Sequence, residues 1–127
     1  MSLLVRLAVT VLAVCLSTAA KAESARHGDG HSKYHHAYKG LMRPDAPTSS
    51  CCNDIDCRPT QAKFDAATGN WEAVKDGRWI TVPKNKIVDG DVPAELASEA
   101  HLCAPPAAWP GYGKDDVFCF IRPNGGS

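Results

Sequence analysis

Apolar and polar positions alternate most clearly between residues 59 and 82, and alternation with a period of two predicts β-strands. Residues 59–65 place Ala62 and Phe64 on one side. The runs 71–75 and 78–82 flank Asp76-Gly77, a dipeptide suited to a two-residue type I′ turn because both central positions need positive φ. Residues 67–70, Ala-Thr-Gly-Asn, supply the turn before them, so a three-strand meander is expected. Pro83 has no amide donor and should end its strand or sit on an edge. Farther on, residues 92–100 predict a short helix with Asp91 as cap and Pro93 in its first turn. Residues 104–113 hold three prolines and two glycines and read as loop. The compact apolar run 117–121 reads as a central strand, and 124–127 as a loose tail.

The N-terminal third lacks this periodicity. Residues 1–22 carry Arg6, an apolar run over 7–16 broken only by Thr10, and Ala20-Lys21-Ala22, which together predict a cleavable export signal. The run is about half of what a bilayer span needs, so no membrane span is expected. Cys15 invites a lipoprotein reading, but the bulky Val14 stands where a small residue belongs, and a soluble exported chain is the preferred reading. Residues 23–50 are polar and turn-rich and read as a flexible or extended arm, joining the domain near Arg43-Pro44-Asp45-Ala46-Pro47, where the prolines forbid a continuing helix. The expected fold is therefore mainly β, with α+β as the variant. It comprises a small antiparallel meander with one short helix over residues 51–123, stapled by disulfides and preceded by the arm.

Charge changes little in this picture. Without residues 1–22 the chain has twelve Lys and Arg against fourteen Asp and Glu, interspersed, and this argues against nucleic acid as a partner. Cysteine changes more. Cys51, Cys52, Cys57, Cys103 and Cys119 all lie beyond the signal, in a chain bound for an oxidising compartment, periplasmic or extracellular. Bridges from Cys103 and Cys119 back to the cluster would close long loops and add about 2–4 kcal/mol each. Adjacent Cys51 and Cys52 should seek different partners, which leaves twelve pairings open. The odd cysteine reads as a buried inert thiol, as an intermolecular bridge making a dimer, or as a redox-active or metal-binding thiol.

His27, His31, His35 and His36 crowd into ten residues, and the 27-31-35 spacing would align three imidazoles on one helical face. Gly28 and Gly30 argue against a helix there, so the arm would wrap an ion such as Cu²⁺, Ni²⁺ or Zn²⁺. Cleavage after Ser24 would instead expose Ala25-Arg26-His27, a square-planar Cu²⁺/Ni²⁺ motif. His101, two residues before Cys103, reads as a histidine near a helix end. Asp54/Asp56 and Asp89/Asp91 read as turn residues, since neither pair continues into a calcium loop. Trp71 and Trp79 read as core, with an exposed sugar- or peptide-binding pair as the lesser alternative. No nucleophile–histidine–acid constellation, phosphate loop or His-Glu-x-x-His is present.

The order Tyr-x-x-Leu-x-Arg-Pro-Asp at 38–45, Ser-Cys-Cys-Asn-x-x-Asp-Cys-Arg-Pro at 50–59, Asp-Gly-x-Trp-x-x-Val-Pro-x-x-Lys-Ile at 76–87, and His101-x-Cys103 with Cys119-Phe-x-x-Pro123 resembles a group of small exported alphaproteobacterial proteins. The resemblance implies export and this cysteine framework, and it carries no activity. Three functions remain in view: a periplasmic or secreted interaction module without catalysis, binding a protein or envelope partner; divalent-metal capture by the histidines; and thiol-redox chemistry.

Overall fold

The computed structural model describes residues 30–53 and 56–124; the expected export signal, His27 and Asp54 lie outside them. In chain order the elements are helix α1 (His31–Lys39) and strands β1 (Met42–Arg43), β2 (Ala46–Ser50), β3 (Cys57–Thr60), β4 (Ala62–Asp65), β5 (Asn70–Lys75), β6 (Arg78–Thr81), β7 (Ala100–Cys103) and β8 (Cys119–Ile121). They form three small antiparallel sheets: β1-β2, β3-β7-β8 and the meander β4-β5-β6.

The meander forms as its pattern dictates. Asp76 and Gly77 take φ of 50° and 75°, the left-handed pair a type I′ turn requires. Strand β5 alternates buried and half-buried positions, with Trp71, Ala73 and Lys75 turned inward. Lys75 is buried because its ammonium donates to the carbonyl of Asp116 at 3.0 Å, which pins the loop around residues 113–116 onto the sheet. Trp71 is core and contacts Phe120, whereas Trp79 is 47 % exposed on the opposite face, beneath Lys63. The two tryptophans therefore make no shared platform.

The run expected as one strand over 59–65 is divided. β3 belongs to the sheet with β7 and β8, β4 belongs to the meander, and Gln61 is the crossing point, where its carbonyl accepts from Val74 N–H at 2.9 Å. Pro59 fits because β3 is an edge strand, with nothing needed from the missing amide on its outer side.

Two further expectations are corrected. Residues 92–100 give only a 3-10 turn at Ala94–Leu96, and residues 100–103 are the middle strand β7 of their sheet. The apolar run near the end is β8, at the sheet's edge, joined on its other side to Ile87 through an isolated parallel bridge with Phe120. Both strands are buried at every position. The reason is that this sheet has covering on two sides. Ala100, Leu102 and Phe120 pack with Trp71, Ala73, Ile80 and Val82 of the meander, while Cys103, Cys119 and Ile121 pack with Tyr34, Ala37, Tyr38 and Leu41 from the helical side. A strand covered on both faces loses the alternation that marks it in sequence.

Residues 31–39, expected within an extended arm, form α1 instead. Its Tyr34, Ala37 and Tyr38 recur at three- and four-residue spacing and are buried. Gly30 does not break this helix; it starts it. Its φ of 76° turns the chain into α1, and a Cβ there would stand 2.9 Å from Pro59 Cδ.

Two disulfides tie the layers. Cys51 bonds Cys119 and Cys57 bonds Cys103, joining positions 68 and 46 residues apart. Cys51 and Cys52 do part company, and Cys52 belongs to neither bridge. No helix among the described residues is long and apolar enough to cross a membrane.

Candidate functional site

The site grows from the first two turns of α1. His31 and His35 are one helical turn apart, so their rings project from one face. His31 is fully buried. Its Nδ1 lies 2.5 Å from the carbonyl oxygen of Cys57, and since a carbonyl only accepts, Nδ1 carries the hydrogen. In the neutral ring this leaves Nε2 as the nitrogen that accepts, through its lone pair. That lone pair faces His35 Nδ1 at 2.9 Å and the Cys52 sulfur at 3.9 Å.

Three donor atoms of His31, His35 and Cys52 thus converge within 4.8 Å of one another. A ring nitrogen donating to a backbone carbonyl while the other faces an ion is the usual way a protein orients a metal-binding histidine. The hydrogen now shared between the two imidazoles is the one an incoming cation would displace. Cys52 arrives from the other side of the chain, just after β2, where its amide donates to Ser50 Oγ at 3.2 Å.

A second group surrounds the same sulfur. A carboxylate oxygen of Asp56 and Sγ of Cys57 lie within 4.8 Å of Cys52 Sγ and of each other. Asp56 is fully buried. Its Oδ1 accepts from Asn53 N–H at 2.7 Å, while Oδ2 meets no hydrogen-bond partner among the described residues. A buried carboxylate with an unanswered oxygen favours a nearby cation. The Cys57 sulfur is no ligand, being bonded to Cys103.

Behind this cluster α1 is anchored by aromatic and polar contacts. Tyr38 hydroxyl and His101 Nδ1 share a hydrogen bond at 2.7 Å, and Tyr34 hydroxyl donates to Glu99 Oε1 at 2.7 Å. Burial first, then the negative charges that Tyr34, Cys52 and Glu99 can carry, push the Tyr38 phenol well above its ordinary value. Burial also lowers the pKa of His101, partly opposed by Glu99, so its ring is neutral at physiological pH. His101 is therefore a packed hydrogen-bonding residue of β7 rather than a partner of Cys103, which is committed to its bridge.

The histidines singled out in sequence separate. His31 and His35 enter the cluster, His27 lies outside the described residues, and His36 is on the surface, paired with Glu95 at 2.9 Å. Cys51, Cys57, Cys103 and Cys119 form the two bridges. The membership of Cys52 beside two histidines 17 and 21 residues earlier had no signal in local spacing. Asp89 pairs with Arg122 at 3.0 Å, in keeping with a surface turn.

Fold and site together define a small, disulfide-stapled, mainly β protein that carries a thiol–imidazole cluster under one helix. No family model, curated protein or solved structure matches the chain.

Proposed function

We propose that this protein captures a soft or borderline transition-metal ion, copper or zinc, through His31 Nε2, His35 Nδ1 and Cys52 Sγ. The observation that carries the reading is the convergence of those three donors together with the fixed tautomer of His31. A thiolate and two imidazoles are the ligand set of Cu⁺, Cu²⁺ and Zn²⁺ sites, and the thiolate disfavours purely oxygen-seeking ions. Nickel, which prefers a square plane, is the poorer match. A three-donor set suits Cu⁺ as it stands and leaves Zn²⁺ one position for an exogenous ligand.

Two disulfides point to folding in an oxidising compartment, and export to the periplasm or beyond belongs to the same proposal. A thiol kept beside a disulfide in such a place gains protection from metal ligation. The interaction-module reading has less to rest on, because Phe64 and Trp79 face opposite sides of the meander and Trp71 is core.

Calorimetric titration of the exported form with Zn²⁺, and with Cu⁺ under anaerobic conditions, tests the proposal. One-to-one binding by the parent, lost in His31→Ala/His35→Ala and in Cys52→Ser but kept in His36→Ala, is the expected pattern. Equal binding by all four proteins would remove it.

A further inference from the structure

The sulfur of Cys52 has a second neighbour that metal capture does not use. Cys57 Sγ lies within 4.8 Å of it, and Cys57 is one half of the bridge that fastens β3 to β7. Thiol–disulfide exchange requires one thiolate sulfur close to a disulfide sulfur, and it needs no outside oxidant. We propose that Cys52, Cys57 and Cys103 form an internal exchange relay whose running is blocked when a metal ion holds Cys52.

The step balances within the chain. The Cys52 thiol gives up its proton to solvent, and its sulfur bonds to Cys57 Sγ. The Cys57–Cys103 bond breaks, and Cys103 leaves as a thiolate that takes up a proton. One disulfide and one thiol exist before and after. What changes is connectivity: a bridge spanning 46 residues becomes one between positions five apart, Cys103 in the middle strand becomes a thiol, and the sulfur that would hold metal is consumed. Metal and exchange therefore compete for the same atom. Loss of metal would loosen the β3–β7 edge, and the other bridge, Cys51–Cys119, would hold β8 in place meanwhile.

The exchange itself stands on sulfur positions alone; only the blocking by metal rests on the proposed function. The test uses the whole exported chain, stripped of metal by a chelator, held at neutral pH, quenched in acid, denatured and labelled with a maleimide before peptide mapping. Label divided between Cys52 and Cys103, with a Cys52–Cys57 linked peptide, is the expected result. Label on Cys52 alone would overturn the relay. Cys52→Ser should show no label and both bridges. Cys103→Ser, refolded with glutathione disulfide, should join Cys52 to Cys57; two separate thiols or glutathione adducts at those positions would count against the geometry. Finally, a molar equivalent of Zn²⁺ should cut Cys103 labelling by about tenfold or more, following the loss of available thiolate. Label on Cys103 that appears without metal and persists with it leaves the exchange intact and overturns the blocking by metal.

Discussion

His31 Nδ1 donates to the carbonyl of Cys57, so the histidine that heads α1 is oriented by the backbone of a disulfide-bonded residue. This one bond couples three levels of the molecule. It fixes the ring's tautomer, it seats the first turn of the helix on the edge strand β3, and it makes the candidate site depend on the covalent frame beneath it.

The first prediction concerns that dependence. Removing the Cys57–Cys103 bridge as a Cys57→Ala/Cys103→Ala pair should cost about 2–5 kcal/mol in urea unfolding, since it frees a long loop in the unfolded chain. Removing Cys51–Cys119 in the same way should cost a similar amount. Cys52→Ser, which removes neither bridge, should shift the midpoint far less. A Cys52→Ser protein as destabilised as either bridge mutant would show that Cys52 holds the fold rather than a ligand.

Tyr38 offers a second. It is fully buried and its hydroxyl is hydrogen-bonded to His101 Nδ1, joining α1 to the middle strand. Tyr38→Phe keeps the ring and leaves the buried Nδ1 of His101 without its partner, so it should cost about 1–3 kcal/mol. Thermal or urea unfolding measures this, and a neutral substitution would mean the hydroxyl's bond contributes nothing net.

His101 gives a third, in pH. Burial lowers its pKa below the ordinary 6.5, and the groups facing it are Tyr38, Tyr34, Glu99 and Lys33. The unfolded chain then binds a proton at a pH where the folded protein does not. Stability is therefore complete above about 6.5 and falls as pH drops from there toward the folded value. Urea unfolding of parent and His101→Gln across that window should show the parent losing stability faster with acid. His31, His35 and His36 are common to both proteins, so the difference between the curves reports His101. Parallel curves would refute the assignment.

Much of the fold was legible because its signals are local. Asp76-Gly77 announced the hairpin, and the crowding of Cys51, Cys52 and Cys57 far from Cys103 and Cys119 announced long-range bridges. The rest was hidden for physical reasons. β7 is covered on both faces, so Ala100, Leu102 and Cys103 carry no alternation and resemble the end of a helix. α1 was masked by Gly30, whose left-handed φ makes it a start rather than a break, and by histidines sitting where a helix would bury apolar groups. Two of the three donors share the His31/His35 spacing. The third donor does not, because Cys52 meets those rings only through the packing of α1 against β3.

The most direct measurement is the absorption spectrum of the protein titrated with Co²⁺ as a stand-in for zinc. The expected result is a thiolate-to-cobalt charge-transfer band that saturates at one equivalent, vanishes in Cys52→Ser and in His31→Ala/His35→Ala, and is displaced by Zn²⁺. A spectrum without that band in the parent, or one unchanged by Cys52→Ser, would contradict the site.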